Sequence, residues 1–469
     1  MSMSGISQRV GGIEQTTAPR TAISSMKRLV RPAWSSTFER WWVACLILPL
    51  MMASDFKFRR RSAVSALGGT PDTQVLIEVG VYGLVALYLV LAHGRAPRLR
   101  RTSPIMFTMW FFATALAASA VYAVYPALAI VRGTQVMIVC ALAQTIASRA
   151  TVQHLHRFAH GYMVMMCVSV ALGHAFKFPV NAVVNSRFHW LYVHPVPGAI
   201  YLMIGALLTF AYIRSAELRD VLGIWPRWVY GAISAWITLA LILTKTRGSL
   251  VGTVVGLMVL IAFRTKTRTK FDIAAFASAA LLFVGAAFGQ QIVTYVERGQ
   301  DISKLSTLNE RTNLWALAFD AFFQKPIFGS GLGASRGLFL ETIGLGGGHN
   351  AFVNVLVDAG LLGTIPFLAL LTMVGGTLFF FRRNTPGGRD TILLLPIFCG
   401  LLTNSITAEF MAVPANNASI WLFIMCAWIG VCQRAQVSQM RSQRTSSFIN
   451  PGVRTATPIS GPTATSPVR

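Results

Sequence analysis

The sequence predicts an all-α protein, a polytopic membrane helix bundle of about twelve spanning helices with one long extracytoplasmic loop that contains an amphipathic helix. Three observations predict it. Of the 469 residues, 54% are hydrophobic and 12% charged, against roughly 25% charged in a soluble domain. Apolar stretches long enough to cross roughly 30 Å of hydrocarbon recur between residues 41 and 432, and they are continuous rather than alternating, so they are helices. The formal charge of +25 falls mostly in short connections and the two tails. That is the positive-inside pattern of a membrane protein and excludes a nucleic-acid-binding surface.

Residues 1–40 hold no apolar core of signal-peptide length and are expected to form a cytoplasmic tail. Residues 41–290 are expected to carry transmembrane helices 1–9, residues 291–349 the extracytoplasmic loop, and residues 350–432 helices 10–12. Residues 433–469, rich in Ser, Thr, Pro and Arg, read as a second, disordered cytoplasmic tail. The spans are expected to begin near Trp41, Thr73, Pro104, Ala127, Ala159, Leu191, Trp228, Gly248, Phe271, Asn350, Thr391 and Asn416. An even number puts both tails on one side, and the basic clusters at 95–101, 149–157, 214–227, 264–270 and 382–389 then face the cytoplasm. Lys57, Arg59, Arg60 and Arg61 face the other way, which a re-entrant first span or contact with anionic headgroups explains. No internal repeat is visible, nor a pair of Gly/Pro-broken spans in matching halves, which argues against a transporter. The six cysteines lie in or beside apolar runs without pairing or ligand spacing and read as core thiols.

The long loop faces outward, and loops of that length usually carry function. Within it, Thr307 and Glu310 have capping-box spacing and open a helix that ends before Pro326, so Arg311 sits in its first turn. Leu314, Leu317, Ala318, Ala321 and Phe322 recur at helical spacing, as expected of an amphipathic helix lying on the bilayer surface or of a lid packed on the bundle. After Pro326, the glycines of Phe328-Gly-Ser-Gly-Leu-Gly333 allow a tight turn with exposed N–H groups suited to anions. It is not a Walker loop, because no strand precedes it and no Lys-Ser/Thr follows it. Gly346-Gly-Gly-His349-Asn350 then delivers a histidine to the next helix N-terminus, where the macrodipole favours the neutral imidazole, a competent base.

Arg247 lies in Thr244-Lys-Thr-Arg-Gly-Ser249, a polar break between two apolar spans that faces the same side, and an arginine beside hydrocarbon is expected to pair with something anionic. Arg187, His189 and His194 precede the sixth span on that face. The face therefore gathers Arg187, Lys245, Arg247, Arg311, Arg336 and His349 near an apolar mouth, which fits a phosphate or diphosphate headgroup held by bidentate arginines, with apolar walls for a lipid tail. Carboxylates are scattered and no Asp-x-Asp pair occurs, so no metal site is expected. No Gly-x-Ser-x-Gly elbow or Ser/His/Asp order is present.

Arg311 with Trp315 and Ala318, Pro326-Ile-Phe-Gly-Ser-Gly331, His349-Asn-Ala-Phe352 and Asp358-Ala-Gly-Leu-Leu-Gly363 together resemble the signature region of the O-antigen ligase and polymerase superfamily. Thr246-Arg-Gly-Ser249 is similar to its outward arginine motif. The resemblance implies a GT-C-like glycosyltransferase of the bacterial inner membrane, with both termini cytoplasmic, that moves a glycan from undecaprenyl diphosphate to an acceptor hydroxyl of lipid A core or another glycan. It implies catalytic roles for His349, Arg247 and Arg311, with Arg187, His194, Lys245, Arg336 and Asn350 binding diphosphate or glycan. It implies no cofactor, metal or nucleic acid; the partners are the lipid-linked donor, the acceptor and membrane lipids. The family's His-x-Asn motif is met only as His194-Pro-Val196. The alternatives are a polysaccharide polymerase rather than a ligase, and a lipid-linked oligosaccharide flippase or transporter.

Overall fold

The computed structural model describes residues 33–56, 72–93, 103–176, 187–189, 195–264, 311–343, 348–381, 386–411 and 416–449. The chain divides into Met1–Trp42, of which residues 33–42 are described, and Val43–Arg469. The expected span near Phe271, the basic patch at 57–61, the Thr307 to Glu310 capping box, His194 and most of both tails lie outside the described residues.

Every described regular element is a helix. In chain order they are α1 (Ala33–Asp55), α2 (Thr73–His93), α3 (Pro104–Ala118, followed by a 3₁₀ turn Ser119–Val121), α4 (Pro126–Arg149), α5 (Val152–Ala175), α6 (Pro195–Arg214), α7 (Ala216–Arg219), α8 (Arg227–Leu243), α9 (Arg247–Arg264), α10 (Arg311–Gln324), α11 (Ala334–Ile343), α12 (Ala351–Phe380), α13 (Pro386–Ser405) and α14 (Asn417–Ile449). Seven of them, α2 to α6, α12 and α14, are long and apolar enough to cross a membrane, so the protein is an all-α polytopic membrane protein.

Local signals set the helix starts. Ser103 accepts a hydrogen bond from the Met106 N–H while Pro104 takes the first helical position of α3, and Pro126 does the same for α4. At α5, Thr151 and His154 form a reciprocal cap. Packing then sorts the helices. Most of α6 is buried, so it lies inside the bundle, whereas α2 leaves Leu84, Val90 and Leu91 exposed, as a lipid-facing helix does.

Helices α9 and α13 pack closely along their length. Gly248, Gly252 and Gly256 recur every four residues on one face of α9, and a Cβ on Gly252 would come within 2.7 Å of the Gly400 carbonyl oxygen of α13. Helices in lipid gain nothing from hydrophobic contact with each other, so small residues that let backbones meet supply the attraction through van der Waals packing. This stripe fixes the start of α9, and so Arg247, against the end of α13.

Helix α12 is interrupted. Gly360 has φ +56° and ψ −153°, outside any helical region. The segment after the break, residues 361–380, is itself about 30 Å long, enough to span the hydrocarbon. The backbone groups freed at the break are taken up by the loop after α10. Ser330 and Gly331 donate to the carbonyls of Val357 and Asp358 at 2.8 Å each, while Leu361 and Leu362 donate to those of Pro326 and Ile327 at 2.8 and 3.0 Å. A broken span survives in a membrane because other protein satisfies it in this way.

Candidate functional site

The turn from Asn404 to Glu409, at the end of α13, is the meeting point of the site. From one side comes the start of α9, where Ser249 donates to the Asn404 side chain at 3.2 Å and Gly248 lies so close to Thr407 that a Cβ would sit 2.2 Å from its hydroxyl. From the other side comes the start of α12. The His349 N–H donates to Glu409 Oε2 at 3.3 Å, the Asn354 amide donates to the same oxygen at 3.4 Å, and Asn350 Nδ2 donates to the Ile406 carbonyl at 3.3 Å. The two helix starts that present Arg247 and His349 are thus fastened to one short turn.

Two residues of this site are strained. Lys245 (φ 50°) and His349 (φ 49°) are the non-glycine residues with positive φ among the described residues, a conformation that costs roughly 1–3 kcal/mol each and persists only when surroundings hold it. Lys245 is held because Arg187 donates from Nε to the Thr244 carbonyl at 2.7 Å and from Nη2 to the Thr246 hydroxyl at 2.9 Å, clamping the residues on both sides. His349 is held by Glu409 and by its neighbours: the Gly348 N–H donates to Asn354 Oδ1 at 3.2 Å, and Trp315 Nε1 donates to the Gly348 carbonyl at 3.3 Å.

The predicted residues other than His194 have definite places. Arg247 is half-buried at the first position of α9, and Arg187 braces the turn that presents it. Arg311 opens α10, one turn before the Trp315 that touches Gly348. His349 is half-buried, immediately before the helix cap. Asn350, expected among substrate-binding residues, is that cap: its Oδ1 accepts from the N–H groups of Phe352 at 2.9 Å and Val353 at 3.2 Å. Arg336 is exposed on α11, and its charge acts on Glu409. Burial pushes the Glu409 carboxyl above the usual glutamate range, opposed by the His349 N–H, the Arg336 charge and the Asn354 amide.

One expectation needs correction, and one open alternative is decided. The glycine loop does not offer its N–H groups to a ligand, because other parts of the chain already take them: Ser330 and Gly331 donate to the carbonyls of Val357 and Asp358. The Gly333 N–H donates to Asp358 Oδ2 at 3.1 Å and the Ser335 N–H to its Oδ1 at 2.7 Å, while Leu332 N–H goes to Ser119 Oγ at 2.9 Å. The Asp358 carboxylate thus closes the end of the loop and the start of α11. Of the two readings open for the Leu314 and Ala318 stripe of α10, the lid packed on the bundle is the one observed. Those residues are buried against Val353 and Val357 of α12 and Phe339 of α11, with Trp315, Leu317 and Ala321 beside them. Helices α11 and α12 offered an apolar groove at the right spacing, so protein rather than lipid covers the stripe.

The α3–α4 hairpin carries the other half of this assembly. Tyr122 donates to the Phe328 carbonyl at 2.7 Å, Val124 N–H to the Ser330 carbonyl at 3.3 Å, and Tyr125 to Glu341 at 2.5 Å. That last bond, with burial added, pushes the Tyr125 phenol up to about 12. Gly331 (φ +94°) rests directly on Ala123, with room for no side chain. Glu409, Asn354 and Asp358 are the residues sequence reasoning did not assign to this site. Their roles depend on partners 23 to 60 residues away in the chain, and spacing carries no signal at that range. The described residues hold no group of three His, Cys, Asp or Glu side chains placed to bind a metal ion.

Fold and site together define a polytopic helical membrane protein whose polar, strained centre sits at one end of the bundle, under a loop docked into a broken span. Residues 232–368 match the family model for O-antigen ligase, so this segment is similar to that family, in line with the motifs it carries. The matched segment encloses Arg247, Arg311, Arg336, His349 and Asp358. No curated protein matches the chain. The match supports a ligase- or polymerase-type membrane enzyme.

Proposed function

We propose that this protein is a metal-independent, inverting glycosyltransferase of the bacterial inner membrane that moves a glycan from undecaprenyl diphosphate to an acceptor hydroxyl, as an O-antigen ligase does. The observation that carries the reading is the convergence of the starts of α9 and α12, with Arg247 and His349, on the Asn404 to Glu409 turn, inside and beside the segment matched to O-antigen ligase.

The chemistry asks for little beyond these groups. The acceptor oxygen attacks the anomeric carbon as His349 takes its proton, and the bond to the diphosphate breaks with inversion in one displacement. The leaving diphosphate gathers negative charge, which Arg247 and Arg311 stabilise. Arg187 and Glu409 act through others: Arg187 fixes the turn before Arg247, and Glu409 fixes the backbone of His349. In this reading residues 291–349 and both helix starts face the periplasm, residues 1–40 and 433–469 the cytoplasm, and Lys245, Arg336 and His194 line the approach of donor and acceptor.

The test is complementation of a native host lacking the gene with wild type, Arg247→Ala, Arg311→Ala and His349→Ala. Wild type should restore the surface glycan while the variants accumulate lipid-linked precursor on the outer face. Long-chain precursor identifies a ligase, and single repeat units identify a polymerase acting on the same donor chemistry. Well-expressed variants that behave as wild type, or precursor trapped on the inner face, overturn the assignment in favour of a structural partner or a flippase.

A further inference from the structure

Helix α10 has a second face. Opposite the stripe packed on α11 and α12, Phe319 and Phe323 are 43% and 71% exposed, and Ile327 and Phe328, just beyond the helix, are 58% and 56% exposed. The adjoining stripe of the helix, with Asp320 and Gln324, is also exposed but polar. Four large apolar side chains within ten residues of a loop, all outside the protein core, form a patch that water would penalise.

The patch does not end at the loop. Phe328 stands 6.0 Å from the Tyr122 ring, edge to face, and accepts the Tyr122 hydroxyl on its carbonyl. Tyr122 and Val124, themselves exposed, belong to the hairpin that joins α3 to α4. Both of those helices are long and apolar enough to cross the membrane, so a hairpin of four residues beyond the 3₁₀ turn must lie at the membrane boundary. The loop patch is therefore continuous with a surface that already faces lipid.

We propose that the Phe319, Phe323, Ile327 and Phe328 face is seated in the interfacial layer of the bilayer on the site's own side, with lipid as its occupant. Aromatic rings are favoured at that depth, and the division of α10 into an apolar sector and a neighbouring Asp320 and Gln324 sector matches a helix lying along the boundary. Its packed face holds Trp315 against Gly348, so the same helix touches lipid on one side and the His349 segment on the other. A lipid-linked substrate would meet the start of α10 at headgroup depth without leaving the membrane.

The test places the photo-crosslinker p-benzoylphenylalanine at position 320, 323 or 328 of the full chain in nanodiscs of phosphatidylethanolamine and phosphatidylglycerol, with Val90→p-benzoylphenylalanine on α2 as the lipid-facing reference. Mass spectrometry should find phospholipid adducts at 323 and 328 at a yield comparable to 90 and several-fold above 320. Adducts at 90 together with none at 323 and 328, or crosslinks from 323 to a second protein chain, overturn the proposal. The readout needs no glycan transfer, so its failure is separate from any failure of the proposed reaction.

Discussion

Helix α13 carries a polar cluster at each end, and the two are built to opposite rules. Near its start Asp390, fully buried, accepts from Trp428 Nε1 at 2.7 Å and lies 3.3 Å from His156 Nε2, whose Nδ1 is 2.6 Å from the Tyr212 hydroxyl. Arg389 adds a hydrogen bond at 3.1 Å. From Asp390 to Asn404, about 21 Å along the helix, the character changes. There Glu409 is half-buried, His349 and Arg247 are half-buried, and Lys245 and His349 are held at positive φ. The first cluster links a histidine, an acid and a tyrosine within hydrogen-bond reach, with His156 and Asp390 fully buried. Hydrogen-bonded polar groups buried without access or strain pin helices together, whereas strain and partial exposure mark the end where a ligand can act.

That contrast breaks if the two clusters respond alike to substitution. The largest effect is expected from His349→Ala, which should lower glycan transfer by about 100-fold to 10,000-fold while leaving protein abundance and thermal midpoint near wild type; this is read by quantifying transferred glycan per unit of purified protein. Asp390→Ala should do the reverse. Removing one partner of a buried pair costs about 3–5 kcal/mol, so the melting temperature in detergent should fall, and transfer per folded molecule should stay within a small factor of wild type.

Two smaller effects sharpen the comparison. Glu409→Gln keeps hydrogen-bond acceptance at the His349 backbone but removes the charge beside Arg336. Because the folded-state value of Glu409 lies above its ordinary value of 4.5, its protonated form favours the fold, and that contribution is lost as pH rises from the ordinary value through the folded one. Wild type should therefore lose stability relative to Glu409→Gln on going from pH 4 to neutral, measured by unfolding at both pH values. Equal pH profiles would show that desolvation does not raise the Glu409 carboxyl. The smallest effect is expected from Lys245→Gly, which relieves the left-handed penalty and should raise stability by about 1 kcal/mol while weakening transfer, since a cation leaves the approach to Arg247.

Much of the architecture was legible because the bilayer imposes one-dimensional rules. Starts expected at Thr73, Pro104, Ala127, Trp228, Gly248 and Asn350 meet helices beginning at Thr73, Pro104, Pro126, Arg227, Arg247 and Ala351, since span length, proline at the first turn and charge at the ends are local properties. The break in α12 was not foreseen. Gly360 is one glycine among 39, and only the Pro326 to Gly331 loop arriving from elsewhere makes an interrupted span tolerable.

By itself, then, the sequence determined a membrane-spanning helical bundle, the candidate residues Arg247, Arg311 and His349, and the resemblance that the match over residues 232–368 supports. Only the tertiary structure decided which side chains serve the site through others. Whether a glycine loop keeps its N–H groups for a ligand or spends them on the chain, whether α10 buries Leu314 or Phe323, and whether Glu409 meets His349 are questions of which distant surface arrives first at the same few ångströms. Hydrogen bonds and van der Waals contacts act over that range alone, so no local pattern in the chain encodes their partners.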